Sequence, residues 1–220
     1  MNPHNTFDDA IRHMPFLAIL RGIEPDEVLD VAKVLHESGI RSIEIPINSP
    51  KPFESISLLR HEFGNQILIG CGTATTVSHV TQAIDAGADL IVQPHSDPSL
   101  VEIAVQHGKV SIPGICTPTE GFRMLEAGAT ALKIFPSEMI PPTAVAAIRA
   151  VLPSETRFVS VGGISISNIR AYWDVGVRAF GLGSTIYKRG VTPRQVKESL
   201  APLAELGQEL AQSAATLVGS

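Results

Sequence analysis

The chain has 220 residues, 44% of them hydrophobic, and a formal net charge of −5. That is enough to bury one sizeable core, and it is an ordinary length for a single domain of alternating strands and helices. The acidic balance, with Lys and Arg scattered, leaves no basic footprint for nucleic acid or an anionic membrane.

Residues 1–15 read as a short leader without the charged-then-apolar layout of a signal peptide. From there, short β-rich apolar runs alternate with amphipathic runs at a spacing of roughly 20–30 residues, as βα units require. The first strand, Phe16–Arg21, precedes a helix over Glu27–Ser38 that carries Val28, Val31 and Leu35 on one stripe. Next come Ser42–Ile47 with Phe53–Phe63, Ile67–Thr73 with Val77–Ala86, and Leu90–His95 with Ser99–His107. Val110–Cys116 with Glu120–Ala127, Ala131–Pro136 with Thr143–Leu152, and Arg157–Gly163 with Ser167–Val175 continue the alternation. Ala179–Ser184 leads into a final helix from Arg194 to Val218, expected to fray beyond Gly207. Gly39, Gly64, Gly87, Gly108, Gly128 and Gly176 each follow a helical pattern, where a left-handed residue closes the last turn. Starts are marked by Pro25-Asp26, Ser78, Asp97-Pro98, Thr117-Pro118 and Thr192-Pro193.

Eight such strands close a parallel barrel, so the expected fold is a (β/α)8 TIM barrel formed as one domain over 1–220. An open doubly wound sheet would want a Gly-rich turn after its first strand, and Arg21-Gly22-Ile23-Glu24-Pro25 is not that fingerprint. No apolar run is long enough to span a bilayer, and Cys71 and Cys116 do not suggest a disulfide framework. A cytoplasmic protein is the resulting expectation.

Catalytic groups of parallel barrels sit at the C-terminal ends of the strands. Those ends carry Arg21, Glu44, Thr73, Pro94 with His95, Cys116 with Thr117, Lys133, Gly162-Gly163 and Gly183-Ser184. Lys133 stands inside the apolar run ALKIFP, where burying an ammonium is costly. Desolvation and a cation such as Arg21 would lower its pKa and leave neutral amine for attack on a ketone. The alternative is a snorkelling or ion-paired lysine. Glu44, in SIEIPI, is placed to relay protons or else to pair with Arg21. Thr73 could hydrogen-bond a substrate carboxylate or simply cap the next helix. The glycine turns on the last two strands suit a phosphate, since glycine lets backbone N–H groups approach an anion. His4, His13, His36, His61, His79, His95 and His107 show no ligand spacing, so no metal is expected. Cys71 and Cys116 read as small buried hydrophobes rather than nucleophiles.

With these residues in view, the chain resembles the 2-keto-3-deoxy-6-phosphogluconate and 2-keto-3-deoxy-6-phosphogalactonate aldolases, a class I aldolase family. The resemblance runs from Phe16 to Gly190 through LAILRG (17–22), EIPINSP (44–50), GCGT (70–73), PGICTPTE (113–120), ALKIFPS (131–137), VGGIS (161–165) and GLGS (181–184). It implies Lys133 as the Schiff-base lysine and Glu44 as proton donor and acceptor. It also implies Arg21 and Thr73 near the substrate carboxylate, Pro94 and Phe135 as pocket walls, and Gly162, Gly163, Gly183 and Ser184 at the phosphate. No cofactor and no metal are implied, and a homotrimeric assembly is. Gluconate-type members usually carry Thr before the Gly-Gly pair; here it is Val161, and IPINSP after Glu44 also looks like the galactonate type. The expected reaction is cleavage of 2-keto-3-deoxy-6-phosphogalactonate to pyruvate and glyceraldehyde 3-phosphate. Its rivals are the gluconate epimer or dual specificity, a phosphosugar isomerase or epimerase on the same barrel, and a non-catalytic phosphosugar-binding protein.

Overall fold

Short runs rich in aliphatic and β-branched residues form nine parallel strands in the computed structural model, which describes residues 3–218, with side chains from 7 to 213. They are β1 (Phe16–Ile19), β2 (Ser42–Pro46), β3 (Leu68–Gly72), β4 (Leu90–Val92), β5 (Val110–Ile112), β6 (Gly114–Ile115), β7 (Leu132–Ile134), β8 (Phe158–Val161) and β9 (Ala179–Leu182). Their order in the sheet is β5-β4-β3-β2-β1-β9-β8-β7-β6. β5 and β6 are one run interrupted at Pro113, which has no N–H to give to a ladder. Pairing continues on both sides of the break. Gln93 N–H donates to Ile112 O at 3.1 Å, and Lys133 N–H donates to Pro113 O at 2.8 Å. The two ends of the sheet therefore meet, and the barrel has the eight strand positions of the expected fold.

The helices are α1 (Pro3–His13), α2 (Val28–Glu37), α3 (Pro52–Phe63), α4 (Val77–Asp85), α5 (Pro98–Gln106), α6 (Pro118–Glu126), α7 (Pro142–Val151), α8 (Ile169–Asp174) and α9 (Pro193–Val218). The six glycines read as helix stops all adopt positive φ. Asp97 and Thr117 cap α5 and α6, the latter with a reciprocal Thr117–Glu120 capping box. Thr192 and Gln195 make the same exchange at the start of α9. Two starts differ from expectation. Thr76, not Ser78, caps α4 by accepting the His79 N–H at 3.2 Å. α2 begins at Val28 with no side-chain cap, so Pro25-Asp26 belong to the turn before it.

Strand alternation sorts the apolar residues into two cores. Phe16, Ile43, Ile69, Ile91, Leu132, Phe158 and Phe180 face the helices. Leu17, Ile19, Leu68, Leu90, Val110, Val159 and Val161 fill the barrel. Phe7 and Ala10 of α1 join the inner core, and Phe7 is only 2% exposed. The segment read as a leader thus contains a helix that stoppers the barrel at the N-terminal ends of its strands. Asp8 holds it there by accepting hydrogen bonds from Arg157 Nε and Nη2 at 2.6 and 2.5 Å. Past Gly207, where the sequence suggested fraying, α9 continues to Val218. Gly207 instead marks a close approach, for a Cβ there would lie 2.3 Å from Met14 Sδ and 2.8 Å from Phe16 Cε2.

Candidate active site

The alternation that fills the barrel also points Glu44 of β2 and Lys133 of β7 inward, one layer above the apolar plug. Glu44 is 2% and Lys133 5% exposed. Room for the carboxylate comes from β3. A Cβ on Gly72 would sit 2.5 Å from Glu44 Oε1; one on Gly70 would meet Leu90 first, at 2.8 Å from its Cγ, and Glu44 Cβ at 3.3 Å. Among the described residues, Glu44 Oε2 has no hydrogen-bond partner, an open acceptor deep in the protein. Burial pushes the Glu44 carboxyl pKa up, against the pull of Lys133 and Arg21. Burial pushes the Lys133 pKa down, Glu44 opposes this, and Arg21 adds to it. The Lys133 Nζ lies 4.3 Å from the centroid of the Phe135 ring, which roofs it.

A cleft of about 380 Å³ opens at the C-terminal ends of β8 and β9; Lys133 and Glu44 do not line it, and Phe135, beside the Lys133 Nζ, forms part of its wall. Seven of the residues singled out from sequence line it: Arg21, Phe135, Val161, Gly162, Gly163, Gly183 and Ser184. Gly162 and Gly163 follow β8 with φ of 95° and 64°, a turn open to few other residues. Asn168 braces that turn. Its Nδ2 donates to Gly163 O at 2.7 Å, while its Oδ1 accepts the Ser165 N–H at 2.9 Å. Ile19, Glu138, Ser165 and Thr185 share the wall and were not anticipated. The ion pair of Arg21 with Glu44, one of the sequence alternatives, does not form. Arg21 is exposed, and its Nη1 donates to Asn48 Oδ1 at 2.8 Å.

Thr73 and Pro94 do not line this cleft. Thr73 follows β3 with φ 59°, a strained conformation for a β-branched residue, and its capping alternative falls to Thr76. Pro94 packs over Gly114, where a Cβ would lie 2.7 Å from the Pro94 carbonyl. His95 is exposed and helps hold the neighbouring Asp97 carboxyl below its usual range, behind the larger effect of the Ser99 hydroxyl. Cys71 is buried, and burial pushes its thiol up to about 12. Cys116 departs from expectation: it is exposed, with Sγ donating to Phe135 O at 3.0 Å. Its thiol pKa is also raised, by burial first and then by Glu120, so neither cysteine is activated. Among the described residues, no group of three or more His, Cys, Asp or Glu could hold a metal ion, and no helix is long and apolar enough to cross a membrane.

Comparison with known proteins agrees with this geometry. Residues 7–198 match the family described as KDPG and KHG aldolase. A protein of Rhizobium meliloti (strain 1021) named probable 2-dehydro-3-deoxy-6-phosphogalactonate aldolase is 42% identical over 191 residues, covering 86% of this chain and 90% of the relative. The 2-dehydro-3-deoxy-6-phosphogalactonate aldolase of Escherichia coli (strain K12) is 38% identical, over 90% of this chain and 97% of the relative. A solved structure titled "Native KDPGal structure" superposes with a TM-score of 0.88 at 38% identity, covering 90% of this chain and 97% of that one. On the family match and these identities, the chain belongs to the KDPG and KHG aldolase family.

Proposed function

We propose that this chain is a class I aldolase that reversibly cleaves 2-dehydro-3-deoxy-6-phosphogalactonate to pyruvate and D-glyceraldehyde 3-phosphate. The observation that carries the reading is the burial of Lys133 and Glu44 together in the barrel interior, next to a cleft walled by Phe135 and two glycine turns. Lys133, its pKa depressed by burial, attacks the C2 ketone as a neutral amine, and loss of water leaves an iminium. The C4 hydroxyl gives its proton to Glu44 through a water. The C3–C4 bond breaks, and its electrons pass into the iminium to form an enamine. Protonation at C3 and hydrolysis then free pyruvate and Lys133. In this reading Arg21 and Thr73 bind the substrate carboxylate. Pro94 and Phe135 wall the pocket, and Gly162, Gly163, Gly183 and Ser184 take the phosphate on backbone N–H groups. The galactonate epimer is favoured by Val161 and by the names of the two relatives. A cytoplasmic homotrimer belongs to the same proposal and rests on the family resemblance; sedimentation of the purified protein tests the trimer.

Incubation with pyruvate and borohydride tests the chemistry, because a reduced imine cannot hydrolyse. One pyruvate-derived adduct should map to Lys133. Labelling at another lysine, or none, would overturn the mechanism.

A further inference from the structure

The carboxylate that no part of the mechanism uses is Glu138, on the short 3-10 turn Ser137–Met139 after β7. It lines the cleft beside Gly162 and Gly163. Its side chain lies across the glycine turn: a Cβ on Gly163 would fall 2.2 Å from Glu138 Cγ and 3.0 Å from its Oε1. Of the described residues, Glu138 is the only carboxylate lining the cleft, and most of the other polar side chains there already have partners. Arg21 donates to Asn48, Thr185 Oγ1 donates to Ile164 O at 2.9 Å, and Ser165 Oγ pairs with Ser167 Oγ at 2.8 Å. Ser184 sits on the phosphate turn itself. Among the described residues, Glu138 makes no hydrogen bond or ion pair. It is thus an ionisable, acceptor-rich group aimed over a site for a phosphate, where like charge costs energy unless a donor lies between them.

A sugar hydroxyl is such a donor. We infer that Glu138 is a specificity-determining residue whose carboxylate accepts a hydrogen bond from the substrate hydroxyl at C5, the carbon next to the phosphate-bearing C6. The inference rests on the aldolase reading above. In the synthetic direction, C3 of the Lys133-bound pyruvate enamine bonds to the aldehyde carbon. The carbonyl electrons move to the aldehyde oxygen, which takes a proton and becomes the C4 hydroxyl. The C2 hydroxyl of glyceraldehyde 3-phosphate, untouched by the chemistry, becomes the C5 hydroxyl. Phosphate on the glycine turns and C4 near Val161 leave this hydroxyl in front of Glu138.

The test compares two acceptors for pyruvate: D-glyceraldehyde 3-phosphate, and 3-phosphooxypropanal, which lacks the C2 hydroxyl. The intrinsic electrophilicity of the two aldehydes differs equally for every variant, so the readout is the change in their kcat/KM ratio between variants. Wild type should favour the hydroxylated acceptor by roughly tenfold beyond Glu138→Ala, as a hydrogen bond to a charged group allows. Glu138→Gln should keep part of that preference, because its amide oxygen still accepts. A ratio that does not move in Glu138→Ala, or an equal loss for both acceptors, would overturn the inference while leaving the Lys133 chemistry standing. A wild type that condenses pyruvate with neither acceptor would overturn the substrate reading and this inference with it.

Discussion

At the scale of single residues, burial shifts the pKa values of Glu44 and Lys133, and each group opposes the other's shift. The carboxylate raises the lysine pKa, while burial and Arg21 lower it. Glu44→Gln removes the raising influence, so the apparent pKa for imine formation with pyruvate should move down, measured as the pH dependence of borohydride trapping. The same variant should slow C–C cleavage by about 10²–10⁴-fold, the range for a general acid–base group. Turnover near wild type would make Glu44 a mere structural partner. Val161 supplies a second residue-scale prediction. It lines the cleft and packs against Gly181, where a Cβ would meet its Cγ2 at 2.7 Å. Val161→Thr keeps the branched shape and adds one hydroxyl near C4. The kcat/KM ratio should shift several-fold towards the gluconate epimer, about 1 kcal/mol for one hydrogen bond. A ratio that stays put would separate Val161 from epimer choice. Lys133 was legible because a cation inside an apolar strand is an anomaly within one element. Glu138, Asn48 and Asn168 were not legible, since an exposed polar residue in a loop looks the same whether or not a distant turn lies against it.

At the scale of elements, the Gly70-Cys71-Gly72 stretch of β3 shows how a strand serves its neighbour. Its inward positions are glycines because neighbouring side chains occupy the space: Glu44 of β2 at Gly72, and Leu90 of β4 ahead of Glu44 at Gly70. Gly72→Ala would place a methyl 2.5 Å from Glu44 Oε1 and 2.8 Å from its Cδ. The carboxylate must then move by an appreciable part of an ångström, and cleavage should fall by about 10²-fold while pyruvate trapping on Lys133 persists. Equal loss of trapping and turnover would instead mean a collapsed barrel. Strand and helix positions were readable from period and punctuation, as the glycine stops and the Thr117–Glu120 box illustrate. The helix at Pro3–His13 escaped notice, although Phe7, Ala10, Ile11 and Met14 recur at helical spacing. A short amphipathic run at a chain end has no flanking strand to set its frame. The choice of Thr76 over Ser78 as a cap depended on where the strained Thr73 turn delivers the chain.

At the scale of the whole molecule, the barrel has a working end and a closed end. Phe7 closes the latter, within the apolar cluster beneath Lys133. Phe7→Ala should cost about 3–5 kcal/mol, as large-to-small core changes do, read from the denaturation midpoint at constant slope. The folded variant should keep its kcat/KM; a large loss of activity in the folded state would show that the plug also shapes the site. The sequence by itself determined the alternation of strand and helix, hence a parallel barrel, and the inward side of every strand, hence Lys133 and Glu44 in one interior. Those are local properties of period and composition. Only the tertiary structure decided that Arg21 turns to Asn48 rather than to Glu44, that Pro113 splits a strand without opening the barrel, and that Glu138 overlies the glycine turn. Each of these depends on the distance between residues far apart in the chain, which closure of the barrel sets and no local pattern encodes.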